Sequence, residues 1–265
     1  MKTILITGST DGIGKLAAIQ LAKEGHQIIV HGRTKEKLER AVSEIKAVSN
    51  NKNILSFISD FSDLESVKNM VGEITQEVST IDVIINNAGV FTSPIQKNDK
   101  GLDMRFAVNF FAPYVLTNGL ISLMKEANSP KLINVSSAAQ STVSIQALYG
   151  KELPSIHETY AQSKLALTMW SFYFAKLYPE VMTVAVNPGS LLNTKMANEA
   201  YGRHWAPADK GSNILYELTL FEDHISGVGK YFDNDQEAFS NAHTDAYNDE
   251  KIALLIAETK KIVKG

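Results

Sequence analysis

The chain has 265 residues, 26 of them basic and 29 acidic, and its formal charge of -3 gives no electrostatic case for nucleic acid or an anionic membrane as a partner. The absence of cysteine excludes disulfides, thiolate nucleophiles and cysteine-based metal sites, and the six histidines form no metal-binding pair. An apolar strand from Ile4 leaves no room for a signal or transit peptide, and Leu165 to Tyr178, the most apolar long segment, is too short to span a bilayer, so a soluble cytoplasmic protein is expected.

Ile4-Leu5-Ile6 is an apolar run without alternation, as in a parallel strand covered on both faces. Thr7-Gly8-Ser9-Thr10-Asp11-Gly12-Ile13-Gly14 follows, with Ile13, Leu16, Ala17 and Leu21 at helical spacing. Strand, glycine turn and helix is the context in which backbone N–H groups hold a pyrophosphate, although a helix that needs only a tight turn reads the same way. The next strand, Ile28-Ile29-Val30, runs into His31-Gly32-Arg33-Thr34, and Arg33 follows Gly14 by 19 residues, close to the position that reads the ribose. No acid stands there to select a 2′-hydroxyl. Gly32 leaves room, the Arg33 guanidinium suits a 2′-phosphate and Lys15 adds a second cation; the alternative is a solvated loop arginine.

Leu38, Val42, Ile45 and Val48 define a second helix and Ile54 to Ile58 a third strand, closed by Asp60-Phe61-Ser62-Asp63. Ser62-x-x-Glu65 reads as a capping box for a helix with the stripe Leu64, Val67, Val71, Ile74 and Val78, and Asp60 is either an adenine contact or another turn acid. Val83-Ile84-Ile85 is the fourth strand, ending in Asn86-Asn87-Ala88-Gly89, where small residues let something lie close to the backbone. Phe106 to Leu123 reads as a long helix carrying Asn109 within an apolar run. A buried amide needs partners, and these are backbone groups or a water beside a catalytic lysine.

Lys131 to Val135 is the fifth strand and delivers Ser136 and Ser137, which face opposite ways; Ser137 is the better placed to hold a substrate oxygen. Pro154 and Ser155-x-x-Glu158 mark the start of a helix on which Tyr160 and Lys164 share a face. A cation beside a phenol lowers its pKa from about 10, which makes Tyr160 a usable acid or base. His157, one turn earlier, reads as a helix-end residue. Trp170, Phe172, Tyr173 and Phe174 point several ways, so most of that helix needs cover. Met182 to Val186 is the sixth strand, stopped by Asn187-Pro188-Gly189; a substrate loop is expected near 190–208, in which Lys195 to Ala208, with Met196, Tyr201, Trp205 and Pro207, lacks a strong period and suits a mobile lid. Gly229-Lys230-Tyr231-Phe232 forms a last short strand, and Ile252, Leu255, Ile256, Thr259 and Val263 a closing helix.

Over nearly its whole length the chain resembles the short-chain dehydrogenase/reductase family. The residues that carry the resemblance are Thr7-Gly8-x-x-x-Gly12-x-Gly14, Asn86-Asn87-Ala88-Gly89, Asn109, Ser137, Tyr160-x-x-x-Lys164 and Pro188-Gly189, in the family's order. It implies an α/β fold: one Rossmann-like domain over residues 1–265, with a doubly wound seven-stranded parallel sheet and helices on both faces. It also implies a tetrad of Asn109, Ser137, Tyr160 and Lys164, in which the tyrosine exchanges the proton and the serine orients the oxygen. The lysine also binds the nicotinamide ribose, and the asparagine supports a water relay. The implied cofactor contacts are Gly8, Ser9, Thr10, Asp11, Gly12, Ile13 and Gly14, then Arg33 and Asp60, Asn87, Ala88 and Gly89. Asn109, Tyr160, Lys164, Pro188, Gly189 and Thr194 complete the set, and no metal is implied. The 23-residue spacing from Ser137 to Tyr160 is longer than in many members. It resembles the retinol-dehydrogenase-like and protochlorophyllide-reductase-like branches, as does Gly229-Lys230-Tyr231-Phe232.

The expected activity is hydride transfer between a nicotinamide, NADP(H) in preference to NAD(H), and a carbonyl or secondary alcohol, with Tyr160 as proton donor or acceptor. One rival is a dinucleotide-binding regulatory or sensor protein with little turnover, which would have no need of Ser137 and Tyr160. Another is a different Rossmann enzyme such as a methyltransferase, which would leave Tyr160 and Lys164 idle. The expected partners are a small-molecule carbonyl or alcohol and a second copy of the chain in a homodimer or homotetramer, with no nucleic acid and no membrane. The loop 138–159, with Val143, Ile145, Leu148 and Tyr149, is expected either to wall the substrate pocket, with the lid at Met196 and Trp205 favouring bulky apolar carbonyls, or to pad the neighbouring surface.

Overall fold

Strands covered on both faces need apolar side chains at consecutive positions. β1 (Thr3–Ile6), β4 (Val83–Asn86), β5 (Lys131–Val135) and β6 (Met182–Asn187) are accordingly buried along almost their whole length. The computed structural model describes residues 1–202, 204, 206–220 and 229–264; Trp205, expected in the lid, lies outside them. With β2 (Gln27–Gly32), β3 (Ile54–Ile58), β7 (Lys230–Asp233) and β8 (Ala238–Ser240), these strands form one sheet in the order β3-β2-β1-β4-β5-β6-β7-β8. The seven strands β1 to β7 pair in parallel, as expected, and β8 adds an antiparallel edge. The chain turns back after β7 because the Asp233 carbonyl accepts the Gln236 N–H (3.1 Å) and Glu237 takes a left-handed φ of 53°. Strand order reverses between β1 and β4, and at such a switch point the carboxyl ends of the strands open a crevice.

Successive residues of each strand feed two cores. Leu5, Ile29, Ile84 and Leu132 pack with α3 (Leu64–Glu77), α5 (Ala112–Lys125) and α7 (Ile156–Leu177). Ile4, Ile6, Ile28, Val30 and Ile133 pack with α1 (Gly12–Lys23), α2 (Lys35–Ser49) and α8 (Ala208–Leu220). The cap of α3 is Asp63, whose carboxylate accepts the Glu65 N–H (3.0 Å); Ser62, expected there, instead donates to Asp60. The Ser155 hydroxyl caps α7 through the Glu158 N–H (3.2 Å), while the Glu158 carboxylate turns to Ser141 and Gln162 rather than completing the box.

A continuous helical run from Met104 to Lys125 contains α4 (Met104–Phe106), a π turn at Ala107–Phe111 and α5. Pro113 has no N–H to offer the Asn109 carbonyl, and just before it the register widens, so that the Ala112 N–H reaches Ala107. Among the described helices this run, rather than Leu165 to Tyr178, has the length and hydropathy of a membrane span. Its most apolar window is 67% buried inside the fold, the environment of a core helix.

The aromatic circumference of α7 is covered largely within the chain. Trp170 packs against Tyr114 of α5 (ring centroids 5.7 Å) and Phe172 against Tyr247 (5.4 Å), which lies in a 3-10 turn just before the helix Asp249–Lys264. Tyr247 is itself exposed, so the cover at that end of the helix is partial. The loop 138–159 holds a short helix, α6 (Ile145–Leu148); Leu148 is in the core and Val143 and Ile145 pack against it, while the Tyr149 hydroxyl donates to Glu258 (2.7 Å).

Behind the crevice lies a buried ion pair. Arg105 and Asp103, each 2% exposed, meet at 2.6 Å, and Arg105 also donates to the Phe91 carbonyl (3.4 Å). Removing one partner strands the other charge in the core, so Asp103→Ala should destabilise the protein by about 3–5 kcal/mol in urea unfolding, and replacing both residues with apolar ones should recover most of it. A loss below about 1 kcal/mol for Asp103→Ala would contradict a structural role for the pair.

Candidate active site

The crevice is a cleft of about 1080 Å³ over the carboxyl ends of the strands. Its floor is the turn between β1 and α1. Gly8 takes φ 64° with so little space that an added Cβ would sit 2.8 Å from the Ala88 Cα, which brings the ends of β1 and β4 together. Gly12, at φ 55°, faces open cleft, since a Cβ there would meet nothing nearer than the Thr194 methyl at 3.8 Å. The Asn87 amide braces the turn by donating to the carbonyls of Thr7 (2.8 Å) and Gly8 (3.1 Å). Thr10, Asp11, Gly12 and Ile13 line the cleft. Ser9 and Gly14 do not: the Ser9 hydroxyl is buried between the Ile6 carbonyl (2.7 Å) and the His31 N–H (3.1 Å), and Gly14 makes room for Asn87.

His31 supports the same turn, and the sequence pattern gave no sign of it. Its Nδ1 accepts the Gly8 N–H (3.0 Å), which puts the ring proton on Nε2, the donor to the Ser59 carbonyl (3.0 Å). Burial lowers its pKa to about 4, so the ring stays neutral, stacked 4.1 Å from Phe61.

At one end of the cleft stand Arg33, Thr34, Lys37 and Asp60. Arg33 is exposed, and one Asp60 oxygen is held by the Ser62 hydroxyl (2.7 Å). Lys15 is not part of this group, because Glu44 on α2 takes its ammonium at 3.0 Å. The space at Gly32 is filled by the Thr10 methyl rather than left open.

At the other end stand Tyr160, Lys164 and Ser137, with Gly89, Pro188, Gly189 and Thr194 also on the walls. Lys164 is 3% exposed; its ammonium donates to the Val135 carbonyl (2.7 Å) and lies 5.7 Å from the centre of the Tyr160 ring. Ser136, as alternation requires, turns away and donates to the Lys164 carbonyl (3.1 Å), leaving Ser137 toward the cleft. Asn109 stands behind the wall in the π turn, accepting the Val90 N–H (2.8 Å) and donating to the Ser163 hydroxyl (3.0 Å), which donates to the Tyr160 carbonyl (2.7 Å). The Phe91 ring packs 4.8 Å from Tyr160 and 5.0 Å from His157, which is itself outside the cleft. Of the loop 138–159, Ala138 and Ala139 reach the cleft; Val143, Ile145, Leu148 and Tyr149 do not.

Asp235, which no motif pointed to, anchors the loop after β6. It accepts the N–H (2.9 Å) and hydroxyl (2.5 Å) of Ser190 and the Asn187 amide (2.9 Å). Burial pushes its carboxyl up, but these bonds outweigh it and hold the pKa below the usual range.

The sequence pattern of the family described as short chain dehydrogenase matches residues 2–204. The chain is 31% identical to human polyprenol dehydrogenase over 77% of its own length and 64% of that protein, so it spans a little under two thirds of this relative. It is 30% identical to mouse retinol dehydrogenase 13 over 99% of its length and 84% of the relative. A short chain dehydrogenase from Escherichia coli, solved in complex with NADPH, superposes with a TM-score of 0.73 at 25% identity, over 88% of this chain and 96% of that one.

Burial lowers the Lys164 pKa from 10.5 to about 8. Between those values the unfolded chain binds a proton that the folded chain does not, so this lysine makes the fold more stable as pH rises from about 8 to about 10.5, and its destabilising effect is complete below about 8. In urea unfolding the wild type should therefore gain on Lys164→Met between about pH 8 and 10.5. Parallel pH dependences for the two proteins would contradict the burial of a charged ammonium.

Proposed function

We propose that this chain, which belongs to the short-chain dehydrogenase family, is an NADP(H)-dependent oxidoreductase that interconverts an alcohol and a carbonyl compound. The observation that carries the reading is the convergence of Ser137, Tyr160 and Lys164 at one end of a cleft whose other end presents Arg33. The residues present fit a dinucleotide. Gly12 leaves a cradle at the N-terminus of a 12-residue helix, where backbone N–H groups favour a pyrophosphate, and Arg33 and Lys37 offer cations for a ribose phosphate. When bound, the nicotinamide supplies or accepts the hydride.

In the reductive direction the Ser137 hydroxyl donates to the substrate oxygen and fixes its position. The Tyr160 hydroxyl transfers its proton to that oxygen as negative charge develops there, leaving a phenolate that regains a proton from water. The buried Lys164 ammonium favours the phenolate in the meantime and orients the ribose, while Asn109 fixes the helix turn that carries Tyr160. Oxidation runs the same steps in reverse. The substrate end is walled by Val90, Phe91, Met104, Leu191 and Met196, which supports an apolar substrate, as do the long apolar alcohols named for the two relatives. A cytoplasmic location rests on the sequence alone, and a homo-oligomer on the family resemblance.

The test is loss of NADPH absorbance over a panel of apolar ketones, aldehydes and quinones; turnover of none would contradict the reading. In fluorescence titration NADPH should bind roughly ten- to hundredfold more tightly than NADH, the effect of one charge-assisted contact, and Arg33→Ala should narrow that ratio by about tenfold. Equal dissociation constants for the two cofactors in the wild type would remove Arg33 as a phosphate reader.

A further inference from the structure

The Ser137 peptide lies beyond the last rung of β5, where the ladder to β6 has ended with the Ser136 N–H on the Val186 carbonyl (2.8 Å). Its carbonyl nevertheless receives two hydrogen bonds, from the Gln140 amide (2.9 Å) and from the Tyr231 hydroxyl (3.0 Å). These two donors differ in kind. Gln140 belongs to the loop that Ser137 opens, and its Oε1 accepts the His243 N–H (3.3 Å) of another loop. Tyr231 sits in β7, 3% exposed and paired through Ala185 of β6, so its hydroxyl is a reference point fixed to the sheet. Burial first, then Asp233 and Asp235, raise the Tyr231 pKa, which keeps the phenol protonated and donating. The Ser137 side chain is held as well: its oxygen accepts the Ala139 N–H (3.1 Å), which leaves the hydroxyl proton to donate into the cleft.

We propose that Tyr231 is a positioning residue for the reaction, its hydroxyl tying the Ser137 carbonyl to the sheet so that the Ser137 hydroxyl is held toward the oxygen that Tyr160 protonates. This rests on the reading of Ser137 as the group that orients the substrate. The ring of Tyr231 belongs to the core and phenylalanine would fill that space equally, so the hydroxyl has a task that packing does not explain. An orienting hydroxyl a fraction of an ångström out of place loses rate without losing cofactor affinity.

The experiment compares wild type, Tyr231→Phe, Ser137→Ala and the double variant, using a carbonyl compound turned over in the panel. Gln140 still satisfies the Ser137 carbonyl in Tyr231→Phe, so the variant should fold, which thermal unfolding checks. Tyr231→Phe should lower kcat about three- to tenfold, the range of one neutral hydrogen bond, with the NADPH dissociation constant within about twofold of wild type. In the Ser137→Ala background the same substitution should change kcat by less than about twofold, because the group it positions is gone. Wild-type kcat in Tyr231→Phe, or an equal loss in both backgrounds, would overturn the proposal. Wild-type kcat in Ser137→Ala would instead overturn the role of Ser137 itself, and this inference with it.

Discussion

The seam between the end of β5 and the middle of α7 is the constraint on which the rest of the site depends. Lys164 is tied to the strand twice, by its ammonium on the Val135 carbonyl and by its own carbonyl, which accepts the Ser136 hydroxyl. A charge this deeply buried is costly, and here it is tolerated because a carbonyl faces it and the cleft opens beside it. Once the seam is closed, alternation along the strand leaves Ser137 toward the cleft, and one helical turn carries Tyr160 onto the same side as Lys164. The three groups are therefore set by one packing contact rather than by three separate loops.

Around the seam, buried polar groups are linked in chains that stiffen it, with the Asn86 Oδ1 the one atom of these chains left without a hydrogen-bond partner. The π turn presents Asn109 to Val90 on one side and Ser163 on the other, and Ser163 in turn holds the Tyr160 carbonyl. A second chain crosses the core, where the Asn86 amide donates to Asn134 (2.8 Å) and Thr117 (3.0 Å), and Asn134 donates to Ser171 (2.8 Å). It joins β4, β5, α5 and α7 in one register, since a shift of any of them would leave amide groups unpaired away from water. The glycine turn is supported in the same way by Asn87 and the neutral ring of His31.

The parts of this arrangement that follow from local periodicity were legible in the sequence. Unbroken apolar runs mark the covered strands, and the i,i+4 rule puts Tyr160 beside Lys164. Alternation separates Ser137 from Ser136, and the glycines locate the turn. Less legible was anything decided by partners distant in the chain. Lys15 looked like a phosphate ligand, but Glu44, on the next helix, claims it. Ser9 and Gly14 belong to the turn motif yet lie on its inner side, and nothing in their spacing distinguishes cleft from core. The aromatic residues of α7 suggested an oligomer because their cover arrives from Tyr114 and from the far end of the chain at Tyr247. Asp235 and Tyr231 sit on the β7–β8 hairpin, whose return strand carried no apolar signal strong enough to read. Pro113 signalled an irregularity one turn before it, at Asn109, but not that the irregularity would be a π turn.

The proton carried by Tyr160 is the central claim, and one substitution tests it. Tyr160→Phe keeps the ring against Phe91 and removes only the hydroxyl. With an intact fold and a dissociation constant for NADPH within about twofold of wild type, kcat should fall by at least about a hundredfold in both reaction directions, the usual worth of general acid–base catalysis. A folded Tyr160→Phe protein that keeps near-normal kcat would contradict the account and pass the role of proton donor to another group.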